Sequence, residues 1–138
     1  EVYERIAPYV DTFLVDIKHM DGSRHREATG VGNERILSNI RKIAFDLNKR
    51  LMLRIPLIPG YNDSEENLRR TAEFAAEVNQ SGNLAMVNVL PYHSLGASKY
   101  GIMKMDYTMK ETKAPGQEEI DRAIAFFREA GVPVKQGG

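Results

Sequence analysis

Four side chains able to hold a ligand interrupt segments that are otherwise apolar and branched. Asp16 and Lys18 fall in residues 13–18, Arg54 in residues 51–58, and His93 just after residues 85–90. In an extended segment, alternation sets Phe13, Val15 and Ile17 on one side and Leu14, Asp16 and Lys18 on the other. An acid and an ammonium therefore share a face. Arg54 cannot be buried unpaired, so it requires an anion or carbonyls: a structural carboxylate such as Asp16, or a ligand. Each residue also has a plain reading: a self-satisfied rim ion pair worth about 0–1 kcal/mol, a structural partner for Arg54, or a hydrogen-bonded loop histidine. Together they form a more specific set. Lys and Arg suit a carboxylate, and Asp suits an ammonium, a hydroxyl or a cation. His can hydrogen-bond a sugar while its ring packs on an apolar surface. A zwitterionic nucleoside would satisfy all four. His19 and His25 read as loop residues, with His25 placed to touch a substrate protein, and the spacing of the three histidines matches no metal-binding pattern.

These residues need a scaffold that brings their segments side by side. Val2, Ile6 and Tyr9 sit at helical spacing before Asp11, and residues 13–18 read as a strand. Asp21-Gly22 and Thr29-Gly30-Val31-Gly32 punctuate a loop, after which Asn33 caps a helix carrying Ile36, Leu37, Ile40, Ile43, Ala44 and Leu47 on one face. A second strand, residues 51–58, stops at Pro59-Gly60. Asp63 with Glu66 then opens a capping-box-like helix with Leu68, Ala72, Ala75 and Val78 inward. Residues 85–90 form a third strand, and residues 91–115 a connection long enough to be functional. Ile120, Ala123, Ile124 and Phe127 mark a last helix over residues 117–130, stopped by Gly131 before a brief strand at 132–134. Strands alternating with helices of this length imply an α/β fold with parallel pairing, as a barrel or an open sheet. In either, ligand sites form at the carboxyl ends of the strands, where Asp16, Lys18, Arg54 and His93 fall.

With 138 residues, 42% of them hydrophobic, the chain has the size of one domain spanning 1–138. Nineteen basic residues balance nineteen acidic ones without clustering, which favours neither nucleic acid nor an anionic membrane. Residues 51–59 are broken by Arg54 and Pro56, so no transmembrane helix is expected; no secretory signal opens the sequence, and a cytoplasmic location is expected. Cysteine is absent, which removes disulfides, thiolate nucleophiles and cysteine-held zinc or iron-sulfur centres from this chain. Glu1 has no Met before it and the first residues read as mid-helix, so a fragment is expected.

Three blocks carry a resemblance. They are Asp16-Ile17-Lys18-His19-Met20-Asp21 with His25 and Thr29-Gly30; Arg54-Ile55-Pro56-Leu57-Ile58-Pro59-Gly60-Tyr61-Asn62-Asp63; and Leu90-Pro91-Tyr92-His93 with Gly96, Lys99 and Tyr100. In order and separation they resemble the glycyl-radical-enzyme activating enzymes, the pyruvate formate-lyase activating branch of the radical S-adenosylmethionine superfamily. The resemblance implies the C-terminal half of a partial (β/α)6 barrel, with the half that binds an iron-sulfur (4Fe-4S) cluster absent. It implies that Lys18 neutralises the carboxylate of S-adenosylmethionine and that Asp16 helps hold a monovalent cation beside it. Ile17 would give backbone contact, His93 would lie against the nucleoside, and Arg54 would project into the lumen. The complete enzyme would cleave S-adenosylmethionine reductively and take hydrogen from a glycine of a partner glycyl radical enzyme, drawing electrons from a flavodoxin- or ferredoxin-like donor; this chain alone would be inactive. Two other readings remain open: a Schiff-base, aldolase-type barrel using Lys18, and a non-catalytic module whose long loop grips a partner.

Overall fold

In the computed structural model, residues 5–92 and 114–137 are described. A 3-10 turn, Ala7–Tyr9, leads into β1 (Thr12–Asp16), α1 (Gly22–Thr29) and α2 (Glu34–Arg41), whose end widens into a π turn at Lys42–Asp46. Then follow β2 (Arg50–Leu57), α3 (Glu65–Asn79), β3 (Leu84–Pro91), α4 (Gln117–Glu129) and β4 (Val134–Gln136). The strands form one parallel sheet in sequence order, β1-β2-β3-β4. Parallel neighbours cannot be joined by a hairpin, so each crossover must carry the chain back along the sheet.

Alternation in β2 decides which face is covered. Leu51, Leu53, Ile55 and Leu57 are buried, while Met52, Arg54 and Pro56 are only partly so. The buried set meets Val87 and Val89 of β3, Ile40 of α2, Ile43 of its π turn, Ala75 and Val78 of α3, and Ala123 and Phe127 of α4 in a single core. Helices α2, α3 and α4 therefore lie on one face. Among the described residues none of these three helices covers the other face, and Leu14 of β1 is 58% exposed there.

Several local expectations shift. Residues 22–29 form a helix rather than a loop, opened by Asp21, whose carboxylate accepts from the N–H groups of Ser23 and Arg24, and closed by Gly30 at φ 88. Its sequence is polar and only His25 and Ala28 are buried, so no apolar stripe announces it. Asn33 precedes α2 but makes no side-chain cap. Ser64, not Asp63, caps α3 through the N–H of Asn67. The last strand lies at Val134–Gln136, two residues later than expected, because Val132 turns into the core. Of the apolar residues spaced at the start, Ile6 is 39% and Tyr9 87% exposed, and Val2 lies outside the described residues.

Candidate functional site

The loops leaving β1 and β2 are bolted together by buried amides. Asn62 accepts the N–H of Ile58 at 2.8 Å and donates to the carbonyls of Lys18 at 2.9 Å and Pro56 at 2.6 Å. Asn67 accepts the N–H of Met20 and donates to the carbonyl of Asn62. Asn33 donates to the carbonyls of His19 and Met20, each at 2.9 Å. His19, expected as a plain loop residue, is buried: its Nε2 donates to the carbonyl of Tyr61 at 3.0 Å and its Nδ1 accepts the N–H of Asp21 at 2.9 Å. Burial holds the His19 pKa below its ordinary value, against a smaller opposing effect of the Tyr61 carbonyl. Tyr61, closing the same loop, has its hydroxyl pKa pushed up to about 12 by burial. Gly60 takes φ +83 to make the turn, and its N–H is received by Asp63.

This frame presents Asp16, Lys18 and Arg54 to one open depression of about 450 Å³, which Leu14, His25 and Val31 also line. Arg54 Nε donates to Asp16 Oδ1 at 2.6 Å, with the two side chains 42% and 34% exposed. The structural carboxylate considered for Arg54 is thus Asp16. Ile17 is buried and its N–H donates to the carbonyl of Arg54 at 2.9 Å. The next donor in that ladder would be residue 56, a proline with no N–H, so β2 offers the Ile17 carbonyl nothing. His93 lies outside the described residues.

His25, also expected in a loop, is buried on α1. Its Nδ1 lies 2.7 Å from the carbonyl of Val31, which can only accept, so Nδ1 is the donor in that bond. Nε2 is buried and has no hydrogen-bond partner among the described residues. Asn88 of β3 is in the same condition at Oδ1, and nothing in its sequence context had singled it out. Among the described residues, no group of three or more His, Cys, Asp or Glu could hold a metal ion. A larger groove, about 570 Å³, runs between α3 and α4 on the helical side. Its arginines are already engaged, Arg69 by Glu65 and Arg122 by the carbonyl of Asp63, so it offers no convergent polar set.

The fold and rim define an α/β protein of parallel strands and helices with a polar site at the carboxyl ends of its first two strands. No family model matches the chain. The choline trimethylamine-lyase activating enzyme of Oleidesulfovibrio alaskensis is 37% identical over 134 residues, 97% of this chain and 43% of its own length. The 4-hydroxyphenylacetate decarboxylase activating enzyme of Clostridioides difficile is 38% identical over 96% of this chain and 41% of its own. The pyruvate formate-lyase-activating enzyme of Staphylococcus aureus is 32% identical over 96% of this chain and 52% of its own. A solved domain of pyruvate-formate lyase-activating enzyme from Bacteroides vulgatus superposes with TM-score 0.79 at 29% identity, over 98% of this chain and 72% of that one. A radical SAM methyltransferase from Sphaerobacter thermophilus shares the fold, with TM-score 0.58 at 18% identity. The chain is homologous to one part of the glycyl-radical-enzyme activating enzymes, and spans 41% to 52% of the length of the three curated relatives named here.

Proposed function

We propose that these residues form the S-adenosylmethionine-cradling part of an enzyme that installs a glycyl radical on a partner glycyl radical enzyme. The observation that supports this most is the gathering of Asp16, Lys18 and Arg54 around one depression, in a chain aligned over nearly its whole length with activating enzymes. Lys18 would pair with the carboxylate of the bound nucleoside. Asp16, oriented by Arg54, would share a monovalent cation with that carboxylate; a singly charged ion suits a site where one carboxylate works with carbonyls rather than a cage of acids. The Ile17 carbonyl, left without a ladder donor by Pro56, is a contact for the ligand's amino group. His93 would lie against the nucleoside. These residues fit the nucleoside and orient it.

The chain does not fit an iron-sulfur cluster, because it has no cysteine. In this reading the thiolates come from outside these 138 residues. When bound and reduced, S-adenosylmethionine supplies the group that removes hydrogen from the partner's glycine; this chain contributes placement, which is where a protein holding such a cofactor acts. A flavodoxin- or ferredoxin-like donor would supply the electron. No helix among the described residues is long and apolar enough to cross a membrane, and we place the protein in the cytoplasm, with no nucleic-acid partner.

The test is anaerobic reconstitution of the full-length protein with iron and sulfide, then reductant and S-adenosylmethionine. Methionine and 5′-deoxyadenosine should be released, and Lys18→Met should weaken binding of S-adenosylhomocysteine about tenfold through the lost charge pair. A reconstituted protein that binds neither nucleoside overturns the reading.

A further inference from the structure

Between Lys18 and the first turn of α1, side chains hold the backbone one group after another. Asn62 Nδ2 donates to the Lys18 carbonyl, Asn33 Nδ2 donates to the carbonyls of His19 and Met20, and the Met20 N–H donates to Asn67 Oδ1, all at 2.9 Å. Arg70 adds a 3.3 Å contact to the Met20 carbonyl. The last tie differs in kind. The Asp21 N–H donates to His19 Nδ1 at 2.9 Å, while Nε2 of the same ring donates to the Tyr61 carbonyl at 3.0 Å. Three amides and a guanidinium keep their partners at any pH near neutrality. The imidazole does not. It makes both bonds only when neutral with its proton on Nε2, because the cation carries a hydrogen on each nitrogen and its Nδ1 then opposes an N–H.

The groups around the ring offer the cation no replacement for that bond. Burial disfavours the cation most, the Tyr61 carbonyl favours it, Arg24 of α1 opposes it, Asp21 favours it and Arg70 of α3 opposes it. The Asp21 carboxylate already accepts the N–H groups of Ser23 and Arg24 as the cap of α1. Tyr61, whose ring lies edge-on with centroids 5.0 Å apart, keeps its phenol neutral, its pKa pushed up to about 12 by burial. The tie also stands between two walls of one depression: Lys18 precedes it, and α1, which brings His25 and Thr29, follows it.

We infer that neutral His19 is a positioning residue for the nucleoside site: it keeps Lys18 and the start of α1 at a fixed separation, and its protonation in mild acid frees them and weakens binding. By reciprocity, a ligand that requires the neutral ring expels a proton when it binds below neutrality. The inference deepens the proposed function and rests on it in taking the ligand to be a nucleoside whose carboxylate meets Lys18.

The experiment uses the full-length protein, reconstituted anaerobically, with S-adenosylhomocysteine titrated by calorimetry at pH 8 and pH 5.5. Wild type should bind about threefold or more weakly at the lower pH, as expected when a cation dilutes the competent neutral form. His19→Gln keeps one donor and one acceptor without titrating near neutrality, and should lose less than about twofold on the same acidification. Imidazole nitrogen NMR of wild type supplies a measurement that needs no variant: the midpoint of the His19 titration should coincide with the midpoint of the affinity loss. Should His19→Gln fail to fold, that coincidence decides. An equal acid loss in His19→Gln, or a midpoint that belongs to another histidine, overturns the inference. Wild-type binding that is indifferent to pH overturns the inference and spares the proposed function, whereas no binding at pH 8 overturns both.

Discussion

The bolted loops after β1 and β2 and the open face of the sheet treat their polar groups in opposite ways. In the loops, the side chains of Asn33, Asn62, Asn67 and His19 are spent on backbone groups of another segment, as in the bonds of Asn62 to the Lys18 carbonyl and of Asn67 to the Met20 N–H. On the open face, a guanidinium and a carboxylate hold each other in partial solvent, and the carboxamide next along has, among the described residues, only the Met52 sulfur. Polar groups of the first kind fix geometry, and replacing them should cost folding. Those of the second kind cost folding little, or even relieve it, and are kept for what binds them.

The largest effect that can break this contrast is expected at Asn62. Asn62→Leu leaves the Ile58 N–H and the Lys18 and Pro56 carbonyls unpaired in a buried setting, and should destabilise the full-length protein by about 3 kcal/mol or more, read by denaturant unfolding. A loss under about 1 kcal/mol, the net value of one ordinary hydrogen bond, would mean the bolt is ornamental.

Next comes His19, through pH. Its pKa in the folded chain lies below the ordinary histidine value of 6.5, because burial disfavours the cation; Nδ1 must also stay bare to accept the Asp21 N–H. The unfolded chain therefore takes up the proton first, so stability is fully present above 6.5 and is lost as pH falls through that value toward the folded pKa. Thermal melting followed from pH 8 to pH 5 should show a drop in wild type that is reduced in His19→Gln. Parallel curves for the two proteins would remove His19 from the account.

The smallest stability effect belongs to the open face. Arg54→Met should change unfolding free energy by about 1 kcal/mol or less, since the pair is partly exposed and so screened by solvent. The same variant should nevertheless weaken S-adenosylhomocysteine binding measurably by titration calorimetry. A large stability loss without a binding change would place Arg54 among the bolts.

How much of this was legible follows from the range of each signal. The sheet was readable because alternation is local: Leu51, Leu53, Ile55 and Leu57 declare a buried face and Arg54 an open one, while Asp16 and Lys18 line one depression together with Phe13 and Val15. The short helix at Gly22–Thr29 left no such trace, since its buried members, His25 and Ala28, do not make a stripe. The amide bolts were hidden for another reason. Asn33 looks like a helix cap and Asn62 like a turn residue, and their partners lie 14 and 44 residues away. Asn88 sat in a run of apolar neighbours and became visible only when the register set it beside Arg54.

The exposed position of Leu14 bears on handling the protein. Among the described residues β1 is paired on one flank alone, by β2, and Leu14 and Val31 stand out beside it, each 58% exposed. A strand with one row of backbone groups unclaimed is a template for another strand, so the 138-residue chain expressed by itself should self-associate and lose solubility through this flank, and a lysine at position 14 should act as a gatekeeper against it.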